Sequence, residues 1–189
     1  MIGLFIRVYT VGHTPANTSG RNTESGQMAD SLNTTGIYST VRHPLYLGNY
    51  LMWLGLSLLT GSLWFVIIFC LFYCIYYERI MYAEEQFLRK KFGTTYTEWA
   101  NKTPAFFPRF RFFLKPNLPF SWKKVLKKEK NGFLALFLIF YEFDFVGEWL
   151  EKEKNYNYFL LIMCVISVIS YCILKYLKKK TSVLDERGR

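Results

Sequence analysis

A chain of 189 residues that is 51% hydrophobic and 20% aromatic carries more apolar material than a soluble domain of this length usually hides. Its formal charge of +10 is gathered in a few segments separated by long uncharged stretches, so the basic residues speak for membrane topology and not for nucleic acid. Cys70, Cys74, Cys164 and Cys172 all lie in apolar stretches, and no Cys/His cluster has zinc spacing. They read as small packing residues, no metal site is expected, and no glycine-rich cradle for a dinucleotide or triphosphate is present.

Taken in order, residues 1–10 are apolar but too few to cross about 30 Å of hydrocarbon, and no small-residue cleavage site follows. They read as the tail of a helix whose beginning is missing. Residues 11–40 are rich in Gly, Asn, Ser and Thr without hydrophobic periodicity, which predicts a polar loop with no core-facing element and makes His13 a loop residue. Pro44 stands where a helix places its first residue, and an apolar run over 45–59 ends at Thr60-Gly61-Ser62. A second apolar run over 63–77 follows so short a turn that the two must form an antiparallel hairpin. Ile80, Ala83, Glu84, Phe87, Leu88 and Lys91 keep helical spacing beyond the span, with Gly93 as the expected stop.

Residues 96–131 are aromatic and basic, and Pro104, Pro108, Pro116 and Pro119 forbid a long helix in the first part. This segment is expected on the membrane surface, touching anionic lipid. A third apolar run, 133–150, contains Glu142, Asp144 and Glu148, of which the last two share a helical face. Either that face meets protein or water, or the outer end of the span is already interfacial. Residues 158–176 form a clean fourth span. The expected fold is therefore all-α and polytopic. Its segments are a short apolar start and loop (1–40), a core (41–108), a basic interfacial stretch (109–131), and two further transmembrane helices with a basic tail (132–189). If the Gly61 turn and the 151–157 loop face outward, every Lys and Arg except Lys152 and Lys154 lies inside. Arg42-His43, Glu84-Glu85 and the long loop then share the cytoplasmic side.

Two stretches carry chemistry. The first is Gly36-Ile37-Tyr38-Ser39-Thr40-Val41-Arg42-His43-Pro44-Leu45-Tyr46-Leu47-Gly48. The second is Glu84-Glu85-Gln86-Phe87-Leu88-Arg89-Lys90-Lys91-Phe92-Gly93-Thr94-Thr95-Tyr96. The paired pattern Gly-x-Tyr-x-x-x-Arg-His-Pro-x-Tyr-x-Gly and Glu-Glu-x-x-Leu-x-x-x-Phe-Gly-x-x-Tyr resembles the membrane methyltransferases that include isoprenylcysteine carboxyl methyltransferase and the phospholipid N-methyltransferases. Arg-His-Pro alone carries little; both halves in register carry the resemblance, which extends to about Pro108.

The resemblance implies S-adenosylmethionine as cofactor, with Tyr38, His43, Pro44, Tyr46, Gly48 and Glu84 as its contacts and Arg42 and Glu85 as catalytic residues. A helix start bearing Arg42, His43 and Pro44 offers donors and a positive dipole end to a carboxylate, with His43 as the expected cap. Gly48 admits a cofactor or a neighbouring helix. Arg42 could hold an anionic substrate group, and Glu85 could orient a substrate or balance that charge, both at a polar, water-accessible mouth. Methyl transfer needs positioning and electrostatics and no metal. The implied partners are the bilayer and a lipid or lipidated substrate, and the implied location is a bacterial inner membrane with the site facing the cytoplasm. The acceptor is left open among an isoprenylcysteine carboxylate, a phosphatidylethanolamine amine and a lipid phosphate. Two competing classes are a sterol-reductase-like enzyme using NADPH, which Pro44 directly after Arg42-His43 disfavours, and an inactive lipid-binding protein, which the intact Arg42, His43, Tyr46 and Glu85 set disfavours.

Overall fold

A computed structural model describes all residues except 19–21, 24–25, 152–155, 187 and 189. Among the described residues the regular structure is helical apart from one two-stranded ribbon, and the chain forms two units, Met1–Ser121 with Arg187–Arg189, and Trp122–Glu186. The outward loop expected around Lys152, Lys154 and Asn155 lies outside the described residues.

In the first unit, α1 (Ile2–His13) packs along α2 (Pro44–Leu59), and α3 (Leu63–Lys102) returns antiparallel beside α2. Helices α1 and α2 meet at glycines: a Cβ on Gly48 would stand 2.8 Å from the Gly3 carbonyl oxygen and 2.6 Å from Arg7 Cγ. Small residues let two backbones approach this closely. Pro44 does open α2, since its missing N–H is one the first turn leaves unbonded anyway. The hairpin turn is the expected one: Gly61 takes φ +62°, and the Ser62 hydroxyl caps α3 by accepting from Phe65 N at 3.4 Å.

Helix α3 runs unbroken from Leu63 to Phe92, about 45 Å at 1.5 Å per residue and longer than a span needs, before a kink and a second arm to Lys102. Its apolar stretch leaves Leu63, Trp64, Ile68, Leu71, Phe72 and Ile75 exposed, a surface suited to lipid and not to water. Gly93 is a stop, as its sequence position suggested: at φ +55°, ψ −126° its backbone leaves the helical region, the chain kinks, and a second helical arm runs on to Lys102. A glycine can adopt that conformation without steric cost.

The expectation of a featureless loop over 11–40 is corrected. Helix α1 runs to His13 with Thr10, Val11 and Gly12 buried, and a ribbon pairs β1 (Asn22–Thr23) with β2 (Gly26–Gln27). Ala29 is fully buried against Leu88 and Tyr96 of α3. His13 packs edge-on against Phe120 and meets the Leu118 carbonyl through Nδ1 at 2.9 Å. Alanine and glycine carry no periodic signal, and long-range partners supply the burial that local pattern could not indicate.

The second unit is a helical hairpin of α4 (Trp122–Glu151) and α5 (Tyr158–Lys180). Val125, Leu136 and Phe137 of α4 are buried, as are Cys164 and Ser167 of α5. The Asn157 side chain caps α5 by accepting from Leu160 N at 3.2 Å. Asp144 and Glu148 are partly covered and Glu142 is exposed, which agrees with the first two sharing a face. All four cysteines are free, but only Cys164 is buried; Cys74 and Cys172 are exposed and do not act as packing residues. Among the described residues, α3 and α5 are the helices long and apolar enough to cross a membrane. The 16 residues of α2 reach about 24 Å, and the apolar part of α4 is interrupted by its carboxylates.

Candidate active site

The two motif halves meet in space. Arg42 precedes α2 and Glu85 lies on α3 beyond the apolar span, and the hairpin turn at Gly61 returns the second to the first. Arg42 Nε donates to Glu85 Oε1 at 2.8 Å and Nη2 donates to Oε2 at 3.2 Å, a two-pronged ion pair. His43 Nε2 donates to the same Oε1 at 2.8 Å, while its Nδ1 stands 3.8 Å from Glu84 Oε2. The Tyr46 hydroxyl, one helical turn on, donates to Glu84 Oε1 at 2.5 Å.

Local backbone explains the placement. His43 occupies the cap position of α2 but does not cap it with its side chain, contrary to expectation, because the imidazole is turned to the carboxylates. The segment leading into α2 is stitched to the proline-rich strand after α3. Arg42 N donates to Pro104 O at 2.9 Å, His43 N to Ala105 O at 3.2 Å, and Arg109 N to Thr40 O at 2.9 Å. Prolines lack their own N–H but keep the carbonyl, so this segment accepts where it cannot donate.

Arg42 is almost fully committed. Its Nη1 donates to Ala100 O at 2.8 Å and to Thr103 O at 2.9 Å, so four of its five N–H groups serve protein acceptors on both sides of the Gly93 kink. One Nη2 hydrogen remains. The side chains of Arg42 and Glu85 are only 18% and 15% exposed, so the cluster is more enclosed than the expected water-accessible mouth. Burial by itself pushes the Glu85 carboxyl up. The His43 hydrogen bond and the Arg42 charge outweigh it, and the group sits below its ordinary value of 4.5.

The remaining motif residues surround this centre. Tyr38 is buried, and burial together with the Glu84 charge pushes its hydroxyl well above the ordinary range, partly offset by Arg7. Its carbonyl accepts from Trp99 Nε1 at 3.2 Å. Pro44 is fully buried at the start of α2. Gly48 lies against α1, the neighbouring-helix alternative for its lack of a side chain. The His43 and Tyr46 rings stack with centroids 5.7 Å apart, and Tyr77 lies against Tyr46 at 5.0 Å.

Sequence reasoning missed several members. Tyr73 donates to the Tyr46 carbonyl at 2.7 Å and stacks on Tyr77 at 4.0 Å. Tyr73, Tyr77, Glu84 and Leu88 fall at steps of four, seven and four along α3, a single helical stripe that could have tied these tyrosines to Glu84. Tyr96 is fully buried, and the Glu85 charge beside it helps burial raise its hydroxyl. Arg7 of α1 donates to Asn49 Oδ1 at 2.6 Å. Among the described residues no three His, Cys, Asp or Glu side chains are grouped to hold a metal ion.

Residues 3–95, which contain both α2 and the carboxylate pair, match the phospholipid methyltransferase family. This part of the chain belongs to that family. The cobalt-zinc-cadmium resistance protein CzcN of Cupriavidus metallidurans is 39% identical over 89 residues, 47% of this chain and 41% of that protein. The nickel-cobalt-cadmium resistance protein NccN of Alcaligenes xylosoxydans xylosoxydans is 37% identical over 89 residues, with the same shares. The protein-S-isoprenylcysteine O-methyltransferase of Schizosaccharomyces pombe is 34% identical over 75 residues, 40% of this chain and 32% of that protein. The matched stretch thus spans less than half the length of each relative. No solved structure matches.

Proposed function

We propose that this chain is an S-adenosylmethionine-dependent membrane methyltransferase that acts on a membrane lipid or an isoprenylcysteine-type lipidated substrate, at a site facing the cytoplasm of a bacterial inner membrane. The observation that carries the reading is the junction of the two motif halves, Arg42 and His43 on Glu85 and Tyr46 on Glu84. Family membership supports methyl transfer, and the distribution of Lys and Arg supports the orientation.

The donor set fits such a cofactor. Glu84 offers a buried carboxylate to the amine or ribose hydroxyls, and the Tyr46 and Tyr77 rings offer π faces to a cationic sulfur. In this reading Tyr38, His43, Pro44, Tyr46 and Glu84 form the cofactor side, Gly48 serves the crossing with α1, and Arg42 and Glu85 are the catalytic pair. When bound, S-adenosylmethionine supplies an electrophilic methyl group. Glu85, held ionised by Arg42 and His43, is a weak proton acceptor, and its work is to fix those two side chains in place. Such a cluster suits an acceptor that arrives already ionised, a carboxylate or phosphate, better than an amine that must first lose a proton.

Two measurements test the reading. Equilibrium binding in detergent should detect S-adenosylmethionine and not NADPH; tight NADPH binding alone sinks it. Lipid extracts from cells with and without the protein should differ by one methyl group on an anionic lipid or lipidated species, and a methylated amine headgroup would redirect the acceptor assignment.

A further inference from the structure

The segment that follows α3 lies along the motif turn as a strap. Besides the bonds that Arg42, His43 and Thr40 make to it, Gly36 N donates to Leu114 O at 3.0 Å and Leu114 N donates to Ser39 Oγ at 2.9 Å. Its inner end reaches the apolar part of the hairpin. The Phe106 ring meets Tyr50 of α2 edge-on with centroids 5.5 Å apart, and Tyr50 stacks on Phe69, in the apolar stretch of α3, at 6.0 Å. Measured contacts therefore place the strap beside the end of the hairpin that carries Arg42 and His43.

Beyond Phe106 the strap presents what a water-facing loop avoids. Phe107 is 81% exposed and Phe110 71%, and Phe112, Phe113 and Leu114 are exposed as well, five large apolar side chains in eight positions. The backbone beneath them is held, by a short helical turn at Phe110–Phe112 and by the bonds of Arg109 and Leu114, so the exposure belongs to an ordered surface. Arg109, Arg111 and Lys115 stand exposed among these rings, and none of the three makes an ion pair among the described residues; Arg111 rests on the Phe112 ring at 5.8 Å. No carboxylate occurs between Glu98 and Glu129. A surface of rings and cations without acids suits the boundary of an anionic leaflet, where rings enter the head-group layer and arginine stems lie along them with their heads on phosphate.

We propose that residues 107–115 form an interfacial anchor seated in an anionic lipid leaflet, with Phe107, Phe110 and Phe113 in the head-group boundary and Arg109, Arg111 and Lys115 on lipid phosphates. Because the strap is bonded to the motif turn, seating it fixes Arg42 and His43 at the same leaflet surface. The anchor uses no cofactor and no methyl acceptor, so it stands or falls apart from the methyltransferase reading.

The test places the wild-type full chain in phosphatidylcholine nanodiscs that hold a small share of one photoreactive lipid, either phosphatidylglycerol or phosphatidylcholine carrying a diazirine near the glycerol. After irradiation, adducts are mapped by mass spectrometry. Both lipids are expected to label 107–115, phosphatidylglycerol in excess by roughly fivefold or more. That excess should fall toward parity in the double variant Arg109→Gln/Arg111→Gln, checked by thermal unfolding, and for wild type in salt of about 0.5 M, which screens exposed charges. Phe72, exposed on the apolar stretch of α3, serves as the reference and should be labelled equally by the two lipids. Labelling at Phe72 with none on the strap overturns the anchor and turns this surface toward water or another protein. Equal labelling of the strap by both lipids, or an excess that survives either change, overturns its assignment to an anionic leaflet. If the double variant does not fold, the salt series on wild type decides.

Discussion

Arg42 is tied to acceptors on both sides of the α3 kink, so its truncation affects stability as well as turnover. Arg42→Ala strips Glu85 of two donors and frees the Ala100 and Thr103 carbonyls. Because the pair keeps some exposure, the expected loss is about 2 kcal/mol, below that of a fully buried pair, measurable by thermal unfolding in detergent. A pH effect belongs to Glu85. Its carboxyl is held below 4.5 in the folded chain, so its contribution to stability is complete above that value and drains away as pH falls through the lower folded value. Unfolding midpoints followed from pH 7 to pH 3 should drop more steeply in wild type than in Glu85→Gln at the acid end. Parallel curves would show that Glu85 gains nothing from Arg42 and His43.

At the scale of elements, the kink at Gly93 gives α3 two arms that Arg42 ties together. The conformation at φ +55° is one that L side chains rarely adopt, and a Cβ there would meet nothing within 4 Å. Gly93→Ala therefore isolates the backbone term, with an expected cost of about 1–3 kcal/mol in thermal or denaturant unfolding. A substitution without effect would mean that the kink is not required. At Gly48 the reason is opposite, since the obstacle is the Gly3 backbone and the Arg7 stem and not φ. This difference was not legible in the sequence: both glycines stood in the motif, and only their neighbours distinguish a backbone hinge from a helix crossing.

For the whole molecule, the distribution of Lys and Arg predicts that the Gly61 turn faces away from the cytoplasm and that the Glu84–Glu85 end of α3 faces it. With the four native cysteines replaced, Ser62→Cys should react with an impermeant reagent from outside only and Thr95→Cys from inside only. Labelling of Ser62→Cys from the cytoplasm alone would invert the orientation and move the site to the other side. The all-helical class and the hairpin were legible because long uncharged runs and a three-residue turn leave few alternatives. The content of residues 11–40 was not, because Ala29 and the ribbon owe their order to contacts with distant parts of the chain.

By itself the sequence determined the helical class, the start of α2 at Pro44, the hairpin turn and the residues of the two motif halves. Each of these depends on local chemistry: proline geometry, a capping serine, apolar run length, or residue identity at fixed spacing. Only the tertiary structure decided what those residues do to one another. It closed His43 onto Glu85 instead of the helix end, committed Arg42 to both arms of a kink, set Tyr46 on Glu84, and turned Arg7 inward. The physical reason is that the function of a charged group depends on which partners reach it in an enclosed place, and those partners come from α1, α2, α3 and the proline segment, whose meeting no local spacing encodes.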